Sequence, residues 1–187
     1  MRLLFITLAF MSSAVFAQDS KNPYVLEVDV SRVDKRIQVE ASYRVPMSMC
    51  AAYGFLTDYE AAKNIPGILE SKVISRAGNK VQVERLIQER ILFIPIEIRS
   101  VVEYSENLNQ SLDFYQISGN TKYYKGTWRL TNQGNMILFK YQSVFEPNSL
   151  MPNLVIEYFI ENSIYRRFER MAENAYLYGQ SQLLTCK

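Results

Sequence analysis

The chain contains no histidine, which removes Ser-His and Cys-His nucleophile pairs and the usual zinc ligand sets. Its two cysteines, Cys50 and Cys186, stand in no CxxC spacing, so thiol-disulfide catalysis is not indicated. A structural Cys50–Cys186 bridge is arithmetically open, with a buried, apolar Cys50 as the alternative. Carboxylates and guanidiniums remain for acid-base chemistry. In the run Val81 to Ile91, the strand phase that turns Val81, Val83, Ile87 and Ile91 inward also turns Arg85 and Glu89 inward. A buried pair of this kind is costly unless well hydrogen-bonded. The expectation is therefore a bulge near Arg85 that flips the phase and leaves both charges in water. Glu157 and Glu161 form a second set near the buried stripe of a helix. No catalytic residue, metal or cofactor is assigned on these grounds.

The residues suited to binding are aromatic. Phe114, Trp128, Phe139, Tyr141, Phe145, Tyr158, Tyr165 and Phe168, with Ser143, are the candidate lining of an apolar ligand cavity. The Tyr141 hydroxyl, the Trp128 indole N–H and Ser143 supply the few polar atoms that would give specificity. The alternative is that these rings interlock as ordinary core.

The elements that must position them follow from periodicity. Two alternating runs, Tyr24 to Val33 and Ile37 to Val45, meet at Asp34-Lys35 and form a strand pair or one bent strand. Pro46 stops the second run, and Ser48 caps a short helix, Met49 to Thr57. Another short helix, Tyr59 to Asn64, ends at Ile65-Pro66-Gly67. A period of two then returns over Ile68 to Arg76, Val81 to Ile91, Ile96 to Tyr104, Leu112 to Ser118, Tyr123 to Thr131 and Met136 to Phe145. In the last three strands the inward positions are Phe114 and Gln116, then Tyr124, Gly126, Trp128 and Leu130, then Phe139, Tyr141, Ser143 and Phe145. Lys125, Arg129, Lys140 and Gln142 take the other phase.

After Pro152 no Gly or Pro interrupts the chain until Gly179, so one long helix closes the fold. Its second half carries an apolar stripe of Ile164, Tyr165, Phe168, Met171, Ala172, Ala175 and Tyr176. Its first half does not, because Val155, Ile156, Phe159 and Ile160 spread round the face that should be wet. The tip Ile91-Leu92-Phe93-Ile94-Pro95 is likewise apolar where a hairpin turn is normally polar. Phe93, Leu150, Met151, Val155 and Phe159 are therefore grouped as a gate for transient contact with a membrane or donor protein. A curved antiparallel sheet of about six to seven strands around one long helix is the expected α+β fold, and the space the helix cannot fill is the cavity.

Residues 1–17, MRLLFITLAFMSSAVFA, have the charge, apolar core and small-residue end of a secretory signal. Cleavage near Ala17 would leave residues 18–187 as one domain in a periplasmic or secreted setting. Removing Arg2 takes Lys+Arg from 21 to 20 against 19 Asp+Glu, a balance that argues against nucleic acid as partner.

The segments TDYEAAKNIPGILESKVIS, GNTKYYKGTWRL and FEPNSLMPNLVIEYFIENSIYRRFERMAENA, in this order and spacing, resemble the START-like helix-grip superfamily. The nearest branch is the polyketide-cyclase and coenzyme-Q-binding group. The resemblance spans about residues 37–178. It rests on Asp58 with Ile65 and Pro66, on Trp128 in the penultimate strand, and on Phe145 and Pro147 at the exit into the last helix. It implies a helix-grip fold and a hydrophobic small molecule or lipid as partner. A cyclase-like or hydrolytic enzyme, and an interaction module with a vestigial cavity, are the alternatives it leaves open.

Overall fold

The computed structural model describes residues 24, 26–91, 94–148 and 153–181, with the backbone alone at 91, 94 and 153–161. Strands β1 (Glu27–Val33) and β2 (Arg36–Val45) form a pair turned at Asp34, which adopts φ 57°. The two alternating runs are thus two strands, and the sheet has eight strands where six to seven were expected. Helix α1 (Met49–Thr57) follows, its first turn capped by Ser48 Oγ, which accepts from the Ala51 N–H at 3.1 Å. A single 3₁₀ turn, Glu60–Asn64, then leads into β3 (Ile68–Ala77).

The meander continues through β4 (Lys80–Ile91), β5 (Ile94–Asn107), β6 (Ser111–Gly119), β7 (Tyr123–Gln133) and β8 (Met136–Glu146) to helix α2 (Asn153–Ser181). The β4–β5 ladder reaches closer to its tip than the periodicity indicated, with Ile91 opposite Ile94 and Pro95 already inside β5. All pairings are antiparallel, in the order β1-β2-β8-β7-β6-β5-β4-β3. β8 returns beside β2, so among the described strands the non-sequential pair joins the last strand to the N-terminal hairpin. Among the described residues no helix is long and apolar enough to cross a membrane.

The concave face carries the core because one strand phase is apolar along nearly every strand. Val39, Tyr43 and Val45 of β2, Val81 and Val83 of β4, and Ile137 and Phe139 of β8 are essentially removed from water. Helix α2 presses Phe168, Ala172 and Ala175 onto this face, and α1 adds Ala51 and Ala52 beside it. Small residues on both helices allow close approach, so this end of the molecule is filled. The other end is not.

Candidate functional site

A cavity of about 750 Å³ lies between the concave face of the sheet and α2. That volume is in the range of sites that enclose a drug-sized molecule. Register builds its walls. Tyr104, Phe114, Gly126, Ser143 and Val39 lie side by side across five strands, and Leu112, Trp128, Tyr141 and Ala41 form the neighbouring row. Gly126 makes the first row possible. A Cβ there would lie 2.5 Å from the Phe114 ring, 2.3 Å from the Gln142 carbonyl oxygen and 2.8 Å from Ser143 Cβ. Phe114 therefore folds over a bare backbone and meets Tyr141 nearly parallel at 5.9 Å and Tyr124 at 5.1 Å. Trp128 lies 4.7 Å from Tyr141 and 5.8 Å from Phe168 between ring centroids. Phe55, Leu56, Tyr59 and Ile65, from α1 and the segment after it, close one end.

Polar groups punctuate this largely apolar surface, Gln116, Asn120 and Thr121 among them. The hydroxyls of Tyr124 and Tyr141 are 3.1 Å apart. Burial pushes the Tyr124 phenol well above its ordinary range and raises that of Tyr141 as well. Both are therefore neutral hydrogen-bonding groups at physiological pH and cannot serve as bases there. Arg85 points into the cavity from β4. Its Nη1 donates to Tyr104 Oη at 2.8 Å, and its Nε donates to Ser71 Oγ at 3.2 Å. Ser71 Oγ in turn donates to the Tyr59 carbonyl at 2.6 Å, so the guanidinium is fixed by a chain that runs through β3 to the helical segment.

Arg167 reaches in from α2. It forms an ion pair with Glu89 of β4 and donates from Nε to the Pro66 carbonyl at 3.0 Å. Burial lowers its pKa, with the Glu89 charge acting in the opposite direction, and a guanidinium stays charged under any such shift. Gly67, at φ +83°, is its seat, since a Cβ there would fall 2.5 Å from Arg167 Nη2. The pair clasps α2 to β4 and to the turn before β3.

Of the residues expected in the cavity, Phe114, Trp128, Tyr141, Ser143, Phe145 and Phe168 line it together. Phe139 does not. It is fully buried in the filled end, stacked on Tyr43 at 4.7 Å and edge-on to Phe55 at 6.2 Å. Tyr165 is also misplaced, at 47% exposure. The helix is rotated so that its inward stripe runs from Arg167 through Ile164, Met171 and Phe168 to Ala172, which carries Tyr165 out toward solvent. Arg167 is absent from the stripe predicted for this helix because its partner, Glu89, lies on a strand 78 residues away. Arg85 and Glu89 were expected outside, and both face the cavity. No bulge flips them, because β4 pairs with β5 without interruption from Lys80 to Ile91, while the irregularities lie at Ile68/Glu70 and Val73/Ser75 on the β3 side.

Phe93, Leu150 and Met151 lie outside the described residues, as does the 1–17 segment. Val155, Tyr158 and Phe159, like Glu157 and Glu161, belong to the part of α2 described by backbone alone. Cys50 is disulfide-bonded, and Cys186 lies outside the described residues. Among the described residues no three acidic or cysteine side chains cluster as a metal site.

The family model for polyketide cyclase / dehydrase and lipid transport matches residues 45–172. A protein from Thermus thermophilus superposes with a TM-score of 0.67 at 14% identity, over 78% of this chain and 99% of that one. The STAR-related lipid transfer protein from Xanthomonas axonopodis gives 0.66 at 12% identity, over 85% and 96% of the respective chains. The Zhui aromatase/cyclase from a Streptomyces species gives 0.63 at 10% identity, over 80% and 97%. At these identities the likeness is one of fold. No curated protein matches the sequence.

Proposed function

The chain belongs to the polyketide cyclase / dehydrase and lipid transport family, and from that premise we propose that it is an exported carrier of a hydrophobic ligand held between sheet and helix. The observation that carries this reading is the 750 Å³ cavity walled by Phe114, Trp128, Tyr141 and Phe168, a shape and chemistry matched to an acyl chain or a flat apolar body. A ligand surrendering about 400 Å² of apolar surface gains on the order of 10 kcal/mol at about 25 cal/mol per Å², before the entropic cost of association. The surplus left after that cost sets the affinity. In this reading residues 1–17 direct export, and Phe93, Leu150, Met151, Val155 and Phe159 form the entrance through which ligand passes to or from a bilayer or donor protein.

Trp128 is the chain's single tryptophan and lines the cavity, so its emission reports occupancy directly. Titration with fatty-acyl and quinone-like probes should change that emission saturably, and Trp128→Phe should keep the fold while weakening binding. A folded protein that responds to no apolar probe would eliminate the carrier reading. For the entrance, Phe93→Asp and Met151→Asp should slow ligand transfer from vesicles, and unchanged transfer would remove those residues from the role.

A further inference from the structure

Two arginines line the cavity, and their partners differ in charge. Arg167 is neutralised by Glu89. Among the described residues Arg85 is held by the uncharged oxygens of Ser71 and Tyr104, with its guanidinium 5.5 Å from the Tyr104 ring centroid, and takes part in no ion pair. Among the described residues the other carboxylates on the cavity wall, Asp58 and Glu97, are solvent-exposed. A guanidinium has five N–H donors, and the two bonds to Ser71 and Tyr104 leave three of them unspent. Tyr104 Oη accepts from Arg85, so its own proton is free to donate to whatever sits beside the guanidinium. The site is therefore a fixed, half-buried cation with adjacent donors in a wall of mixed apolar and polar side chains, and a partly desolvated charge without a counter-ion is stabilised when an anion arrives.

Resting on the carrier reading, we infer that the ligand is an anionic amphiphile, an apolar body ending in a carboxylate that seats on Arg85 and Tyr104. A planar carboxylate matches the fork of a guanidinium in two parallel hydrogen bonds. An alcohol or ester of the same body takes fewer bonds and leaves the charge unmatched. The apolar body supplies affinity, and Arg85 chooses the head.

The test compares dodecanoic acid, dodecan-1-ol and methyl dodecanoate on the complete mature chain at pH 8, read by Trp128 emission. The acid should bind roughly tenfold or more tightly than either neutral probe, in line with the worth of a charge-assisted hydrogen bond. Arg85→Gln should abolish that preference, and Arg85→Lys should retain part of it. Equal binding of acid and alcohol by the wild-type protein overturns the inference and leaves the carrier reading standing, a comparison that does not depend on any variant folding. A preference that survives in folded Arg85→Gln places the head elsewhere and also overturns it. Binding of none of the three probes removes the carrier reading and this inference together.

Discussion

Gly126 sets the shape of the cavity at the scale of single residues, because the absence of a side chain lets Phe114 lie across the sheet. Gly126→Ala must displace either the Phe114 ring or the β8 backbone, whose Gln142 oxygen lies 2.3 Å from the added atom. Overpacking of this kind costs about 1–3 kcal/mol, and contact with backbone puts the change at the upper end. Chemical denaturation should show a loss of about 3 kcal/mol, and a loss under 1 kcal/mol would mean that Phe114 has another place to go. The aromatic positions were legible because a strand's period of two assigns faces from local sequence alone. That rule placed Phe114, Gly126, Trp128, Tyr141 and Phe145 inward together. It could not separate Phe139 from them, since which inward residues meet α1 and which meet empty space depends on where the helices stop. Arg85 and Glu89 obeyed the same phase, and the expectation failed by invoking a bulge to avoid buried charge. Arg167 pairs with Glu89, and Ser71 and Tyr104 hold Arg85, through long-range contacts that no local pattern records.

Elements are tied to one another by two carboxylates on β5. On the concave side, Glu106 accepts from Tyr59 Oη at 3.0 Å and Tyr53 Oη at 3.4 Å, and pairs with Arg76 at 3.1 Å, which fastens α1 and the 3₁₀ turn over the closed end. On the convex side, Glu103 faces Gln82 of β4 and Tyr115 of β6 across the ladder and accepts from both, and from Lys80 at 2.9 Å. These partners shield it to 8% exposure. The hydrogen bonds from Lys80, Gln82 and Tyr115 lower its pKa from 4.5 to about 2. A carboxylate depressed in the folded state contributes stability that is complete above its unfolded pKa and is lost as pH falls through the folded one. Thermal melts should therefore show a loss of stability between pH 4.5 and pH 2 that is smaller in Glu103→Gln. Identical pH profiles would show that the Glu103 network does not differ between folded and unfolded chains. The order of these elements was legible from alternation, from Ser48 as a cap and from the glycine turns. The cross-strand carboxylates were not, because each bond joins strands whose register had to be known first.

At the scale of the whole molecule, α2 divides the interior into a filled end and an empty one, and the filled end holds the chain's covalent constraint. Cys50, in the first turn of α1, is disulfide-bonded, and the sequence contains one other cysteine, Cys186. A bridge between them would close a loop of about 135 residues, which in the chain-entropy account stabilises the fold by roughly 4 to 5 kcal/mol. It would tie the tail beyond α2 to the element that forms the cavity floor, where Phe55 meets Tyr178 at 5.8 Å between ring centroids. Intact mass of protein purified without reductant should show no alkylation until reductant is added, and then two alkylated thiols on a single chain. Reduction should lower the melting temperature by roughly 10 °C or more, the shift that several kcal/mol produces in a domain of this size. The effect should also reach the ligand, because α1 supplies Phe55 and Leu56 to the cavity wall. An oxidised protein that runs as a disulfide-linked dimer, or that alkylates fully before reduction, would refute the intramolecular bridge. A melting temperature unchanged by reduction would show that the α1–α2 packing holds the floor unaided.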